Sequence, residues 1–330
     1  MKPVHLFLCY TTLQLVIAGR IITKLKLNRS CIEVLYISKV DNIASRNAIA
    51  ELKEIVSTVH FIHMKYKYPI YFPKLYGLFS GRFFDSVYVA SVDNILMHYI
   101  LSRVEFQDIY TFDDGTANIF PGSIYYQKST DNVSSCVIRL LLNIRFSMER
   151  IKLDSVCHYT IYEGYENIIT RLVPITLFPE KIINPPVEMS YQECNVFLGG
   201  IMTDVFKSNT DLSFYIDKCE RLLNDSGADV IFIPHPRGRE EHFLRNENWI
   251  VLKPAHIAEM EIINLLDKYK TINLYGFLSS CQLNLQATGR IKNYVFYSKN
   301  QSETFKNAIQ KSPFLNYFNV EIIDLDDQKI

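Results

Sequence analysis

The 330-residue chain has no charge imbalance: 35 lysines and arginines stand against 35 aspartates and glutamates. A zero balance removes any whole-chain argument for nucleic acid as a partner. There is no uninterrupted apolar run of the roughly 18 residues that a membrane-spanning helix requires. There is no low-complexity tract and no short-period repeat, so a repeat architecture is not expected. The seven cysteines, at 9, 31, 136, 157, 194, 219 and 281, are odd in number and lack close metal-type spacing. They read as reduced intracellular thiols buried as small hydrophobes, not as a disulfide framework. The opening "MKPVHLFLCYTTLQLVIAGR" is interrupted by His5, Thr11, Thr12 and Gln14 and carries no A-x-A-like cleavage site, so a signal peptide is not expected either. The expected location is the cytoplasm, with peripheral attachment at the inner membrane left open.

What is present is a well-cored globular composition, 48% hydrophobic and 21% charged, in a length that suits two domains. Short β-rich runs recur: "VHLFLC", "CIEVLYI", "TVHFIHM", "SVYVAS", "DIYTF", "HYTIY", "NVFLGG", "DVIFI", "TINLYGF", "NYVFY" and "VEIIDL". Between many of them lie segments of helical period, such as "NAIAELKEIV" and "SFYIDKCERLLNDSG". Strands apolar on both faces, alternating with helices, predict parallel sheets covered by helices. The segment 174–190 carries Pro174, Pro179, Pro185 and Pro186, which remove ladder donors and make it the linker candidate. The expected architecture is α/β, with Rossmann-like domains over 1–173 and 191–330 facing a central cleft. Ligands in such sheets bind beyond the carboxyl ends of the strands.

Several predicted strands end in residues able to do chemistry. "DVIFI" stops at Pro234-His235-Pro236, followed by Arg237 and Arg239. Pro234 removes a donor and Pro236 pushes His235 toward an extended backbone, so an imidazole stands at a strand end on a stiff chain. Beside arginines it suits a phosphate, which it could neutralise or protonate. The plainer alternative is a turn histidine held by local hydrogen bonds.

"TFDDGTAN" places Asp113 and Asp114 at another strand end. Adjacent carboxylates repel, which favours a general base; a divalent metal site or a helix cap are the alternatives. "NLYGFLSS" ends in Ser279 and Ser280, either a phosphate-receiving helix start or ordinary caps. Glu259 opens an amphipathic helix, as a ribose ligand or a surface glutamate. In "LGGIMTD", Gly199 and Gly200 permit close approach of backbone to a ligand, with Asp204 on the loop beyond.

The order of these signals resembles the bacterial lipooligosaccharide sialyltransferases of glycosyltransferase family 52. The resemblance runs from "LFLCYTTLQLVIAGRI" through "YVASVDN", "TFDDGTANIF", "HYTIYEGYENI" and "FIPHPRG" to "LYGFLSS". It implies a GT-B fold and an inverting, metal-independent transfer without cofactor. Sialic acid would pass from CMP-sialic acid to a terminal galactose of a lipooligosaccharide or other surface glycan, in α-2,3 linkage, by a homodimer. A different nucleotide-sugar donor, such as a glucosyl donor, and a non-catalytic nucleotide- or glycan-binding protein are the alternatives.

Carried over residue by residue, His235 is the acid at the leaving phosphate. Gly199, Gly200, Pro234, Pro236, Arg237, Glu259, Tyr275, Ser279 and Ser280 fall on the donor side. Tyr10, Thr11, Gln14, Asp113, Gly115 and Thr116 fall on the acceptor side. Asp204 is the nearest match to the family's aspartate after the "LGG" strand, although the local pattern departs by a couple of positions. Asp114 and Asp113 are its rivals as base.

Overall fold

The structure is a computed structural model that describes residues 4–66, 68–127, 133–178, 191–206, 208–238, 248–285, 289–310 and 319–327. The chain divides into two compact units, Met1–Leu177 and Phe178–Ile330.

The first unit holds strands β1 (His5–Cys9), β2 (Ile32–Ser38), β3 (Thr58–His63), β4 (Phe83–Val89), β5 (Glu105–Phe112), β6 (Ser155–Thr160) and β7 (Leu172–Pro174). They pair in the order β3-β2-β1-β4-β5-β6-β7, parallel throughout. Side-chain alternation serves both faces of this sheet. Leu6, Leu8, Leu35, Ile37, Val87 and Val89 join one core beneath helices Phe72–Phe79 and Ile95–Leu101. On the intervening positions Phe7 stacks on Tyr88 at 4.2 Å, and Tyr88 stacks on Tyr110 at 4.9 Å. A sheet buried on both faces explains why its strands read as continuous apolar runs.

The second unit repeats the plan with β8 (Tyr191–Leu198), β9 (Asp229–Ile233), β10 (Ile250–Val251), β11 (Tyr269–Gly276), β12 (Ile291–Tyr297) and β13 (Val320–Asp324). Their order is β10-β9-β8-β11-β12-β13, again parallel. Counted within the unit this is 3-2-1-4-5-6, the Rossmann order, which the first unit follows with one added edge strand. Phe197, Phe232 and Phe296 pack with the lone tryptophan, Trp249, whose indole N–H donates to Asn224 Oδ1 at 2.8 Å.

The predicted linker begins inside the first sheet. Leu172–Pro174 pairs with β6, and Ile175 N donates to Thr160 O at 2.7 Å. Pro174 is tolerated there because it ends an edge strand, where its missing N–H costs no ladder bond. Residues 179–190, with Pro179, Pro185 and Pro186, lie outside the described residues. The seven cysteines are free thiols, buried except for Cys136. Among the described residues no helix is long and apolar enough to cross a membrane.

Candidate active site

In a sheet of this order the strand direction of progress reverses between the first and fourth strands, and the loops there open a crevice. In the second unit those strands are β8 and β11, with β9 beside β8. β8 runs out into Gly199 and Gly200, and β9 into Pro234-His235-Pro236. The glycines are needed because the two loop backbones touch. Gly199 N donates to Ile233 O at 2.8 Å, and a Cβ on Gly199 would fall 2.8 Å from His235 N. A Cβ on Gly238 would fall 3.0 Å from Gly200 O.

His235 is half-buried, with Pro234 half-buried before it and Pro236 and Arg237 exposed after it. Its Nδ1 accepts the Arg237 backbone N–H at 3.1 Å, so the neutral ring carries its proton on Nε2. Burial lowers the imidazole pKa from its usual value, the Arg237 charge lowers it further, and Asp204 opposes both. An anionic phosphate against the ring would shift that balance upward and prepare Nε2 to give a proton. Arg239 lies outside the described residues. Asp204 is exposed, on the short helix Met202–Val205, which is pinned by Ser302 Oγ donating to Asp204 O at 2.9 Å. His235 and Asp204 thus share one neighbourhood within this unit.

The loop after β11 is a third wall of the same switch point. Leu278 adopts φ 60°, a left-handed conformation that costs a non-glycine residue about 1–3 kcal/mol and that clusters at functional sites. Ser279 is the N-cap of helix Ser280–Asn284: its Oγ accepts from Cys281 N, and Gln282 Oε1 accepts from Ser279 N at 3.0 Å. The capping alternative therefore holds for Ser279, while Ser280 is exposed. Glu259 is not a surface glutamate. It is buried in the first turn of helix Ala258–Leu265, accepts from Asn284 Nδ2 at 2.8 Å, and has its pKa raised by desolvation. Tyr275 is committed to the sheet: its ring stacks on Tyr294 at 4.8 Å and Phe296 at 5.7 Å, and burial pushes its hydroxyl up to about 12. Packing, not donor contact, accounts for it.

The corresponding point of the first unit lies between β1 and β4, and here a closed network fills the loops. Thr11 caps helix Thr12–Leu25 in a reciprocal box with Gln14, whose Oε1 also accepts from Tyr10 N. Gln14 is fully buried, and its Nε2 donates to Ser91 Oγ at 3.0 Å and to Asp114 Oδ1. Asp114 Oδ2 accepts from Tyr125 Oη at 2.7 Å and from Ser91 Oγ at 3.2 Å. Gly115, at φ 69°, turns the chain so that Asp114 N reaches Asn118 Oδ1 at 2.6 Å. Thr116 O then accepts from Ile119 N and Phe120 N.

Asp113 goes the other way. It is fully buried, with Oδ1 accepting from His158 Nε2 at 2.8 Å and Oδ2 from Ile161 N at 2.6 Å. The expectation of two neighbouring carboxylates facing one ligand is thereby corrected. Consecutive residues of an extended chain point to opposite sides, so Asp113 ties β5 to β6 while Asp114 serves the loops. With both Asp113 oxygens taken by protein donors, the pair makes no clamp for a cation. Gln14 and Thr11 likewise hold the loop instead of meeting an acceptor.

Two residues escaped the sequence reading. Asp93, on the exposed loop after β4, has its pKa raised by surrounding protein and by the Asp114 carboxylate. Tyr125 is buried between them, its hydroxyl raised well above its ordinary value by desolvation and by both carboxylates. Asp93 sits inside the quoted "YVASVDN", so its position after a β-rich run was the available signal. A cavity of about 460 Å³ in this unit is lined by Glu105, Gln107, Arg145 and Arg150 at the amino end of β5 and shares none of these residues.

Comparison with known proteins bears on what such loops serve. The sequence profile of glycosyltransferase family 52 matches residues 32–320. The chain belongs to that family. A CMP-N-acetylneuraminate:β-galactoside α-2,3-sialyltransferase of Pasteurella multocida (strain Pm70) is 29% identical over 290 residues, covering 85% of this chain and 87% of that protein. An N-acetyllactosaminide α-2,3-sialyltransferase of Haemophilus influenzae is 26% identical, covering 85% and 88%. Among solved structures, an α/β-galactoside α-2,3-sialyltransferase from Photobacterium phosphoreum aligns with a TM-score of 0.53 at 14% identity, over 99% of this chain and 100% of that one. That likeness establishes the fold: two Rossmann-like domains of the GT-B class.

Proposed function

We propose that this family 52 member is an inverting sialyltransferase. It takes sialic acid from CMP-sialic acid and places it on a terminal galactose of a lipooligosaccharide or other surface glycan, in α-2,3 linkage. The observation that carries the reading is His235: a half-buried imidazole at a strand end of the second unit, fixed by Arg237 N–H on Nδ1 and leaving Nε2–H to donate. The names of the sequence relatives supply the donor and acceptor classes.

The reaction is one displacement. A galactose hydroxyl attacks the anomeric carbon of sialic acid, a carboxylate takes the hydroxyl proton, and the bond to the CMP phosphate oxygen breaks. His235 Nε2–H gives a hydrogen bond or its proton to that leaving phosphate, and the anomeric centre inverts. Charge developing on an oxygen in a shielded site is worth about 2.7–4 kcal/mol to a well-placed donor. The reaction needs no metal and no cofactor. Asp204 is favoured as base because it shares the His235 neighbourhood and is exposed, whereas both Asp114 oxygens are occupied by protein donors. The reading includes a homodimer and peripheral contact with the inner membrane.

Incubation with CMP-sialic acid and a labelled galactoside, in EDTA, followed by linkage analysis tests the whole. A sialylated product is expected, while turnover of UDP-sugars in place of CMP-sialic acid would transfer the function to another donor. Asp204→Asn and Asp114→Asn, compared in folded protein, identify the base; loss of transfer in Asp114→Asn alone would move it to the first unit.

A further inference from the structure

Helix Val133–Leu141 is apolar on more than one face. Ile138 and the following Leu142 pack against the first core, yet Leu140 is 82% and Leu141 77% exposed. At nine residues the helix is far shorter than a membrane span, which takes about 20. It can lie on a surface but not cross it. Beside it Phe72, Pro73, Tyr76 and Tyr99 complete a groove of about 450 Å³ whose lining residues bear no charge, and Ile70 and Tyr76 stand exposed at its border. Exposed apolar faces of this kind mark partners.

Charge indicates which partner. Residues 55–84, which supply one wall, contain no Asp or Glu but have Lys65, Lys67, Lys74 and Arg82. Residues 132–148, which supply the other, contain no Asp or Glu but have Arg139 and Arg145. In a chain of zero net charge, both walls of one apolar groove are thus acid-free and cationic. Exposed Tyr66 and Tyr76 add amphipathic rings of the type that settles at a lipid–water boundary. A second copy of the same surface would set cation against cation, whereas an anionic lipid surface satisfies both the apolar and the charged parts.

We propose that this groove and helix form the face by which the protein docks on an anionic phospholipid bilayer, with Leu140 and Leu141 entering the headgroup boundary and Lys74 at its rim. The inference deepens the proposed reading, in which the acceptor is carried on a lipid, by assigning the surface that meets the membrane. Arg82 is held by Glu33, and Lys65 lies within electrostatic reach of Asp41, so Lys74 is the clearest cation to test.

Flotation of the full chain with phosphatidylglycerol–phosphatidylethanolamine vesicles, against pure phosphatidylcholine vesicles, reads the binding directly. The wild type is expected to float with the first, to float poorly with the second, and to release as salt is raised. The double variant L140E/L141E is expected to lose binding about tenfold or more. K74E, which alters an exposed position outside the core, is expected to lose about fivefold or more. Both should keep the wild-type circular dichroism spectrum and transfer to a free galactoside.

Failure of the wild type to bind anionic vesicles, or binding untouched by either variant, would overturn the docking face. So would L140E/L141E converting a dimer to monomers by light scattering while vesicle binding persists. Vesicle binding that follows the variants in a protein that transfers no sialic acid would leave the docking face standing and remove the proposed activity.

Discussion

The two units share a sheet order but finish their switch-point loops in opposite ways. In the first, Gln14, Ser91, Asp114 and Tyr125 bond one another until donors and acceptors are matched. In the second, the loops are shaped by glycine contacts and leave the polar groups of His235 and Asp204 with little protein to bond. A matched buried network fixes a loop and is costly to disturb. A half-exposed imidazole held through one nitrogen keeps its other nitrogen for a ligand. The contrast separates polar residues that build the fold from those available for chemistry, although both kinds occur at strand ends.

The hardest break of that comparison is at Asp113. Asp113→Ala would leave His158 and Ile161 N–H buried without their acceptor and is expected to cost about 3–5 kcal/mol. Urea denaturation measures it, and the folded fraction should still turn over; intact stability with lost turnover would place Asp113 in the chemistry after all. His235→Ala tests the other side. It should lower turnover about 100- to 1,000-fold with the unfolding midpoint near wild type, since removing a donor from a developing charge costs about 2.7–4 kcal/mol.

A finer cut is Gly199→Ala. The added methyl carbon meets backbone at 2.8 Å, so the β9 loop must move, at about 1–3 kcal/mol. Weaker CMP binding by calorimetry is the expected result, with His235 displaced in consequence. The smallest effect is pH linkage. His235 has its folded pKa below the usual value, so between that lowered value and about 6.5 the unfolded chain binds more protons. The stability this group contributes is full above that window and is lost as pH falls through it. Urea midpoints at stepped pH should therefore fall more for wild type than for His235→Gln, whose side chain does not titrate. CMP should bind wild type more tightly as pH drops through the same window, because the phosphate favours the protonated ring.

Much of this was legible in the sequence. Every apolar run quoted above contains a strand, because strands buried on both faces announce themselves by composition alone. The strands that escaped notice, Leu172–Pro174 and Ile250–Val251, are short edge strands, too brief to show a pattern. Pro174 was read as a linker breaker, while the sheet uses it at an edge. His235 was found because two prolines bracket it. Asp93 was not singled out, because nothing local distinguishes a loop aspartate whose pKa is raised by a carboxylate from another strand.

The sequence by itself determined the alternation of strands and helices, the family, and which reactive residue types stand at strand ends. These follow from short-range chemistry: apolar period, β-branching, and the backbone limits of proline and glycine. Only the tertiary structure decided that Asp113 is sealed against His158, that Asp114 is held by donors from positions 14, 91 and 125, and that His235 keeps one nitrogen open. A carboxylate's role depends on what solvates it, and those partners arrive from distant parts of the chain once the sheet has closed.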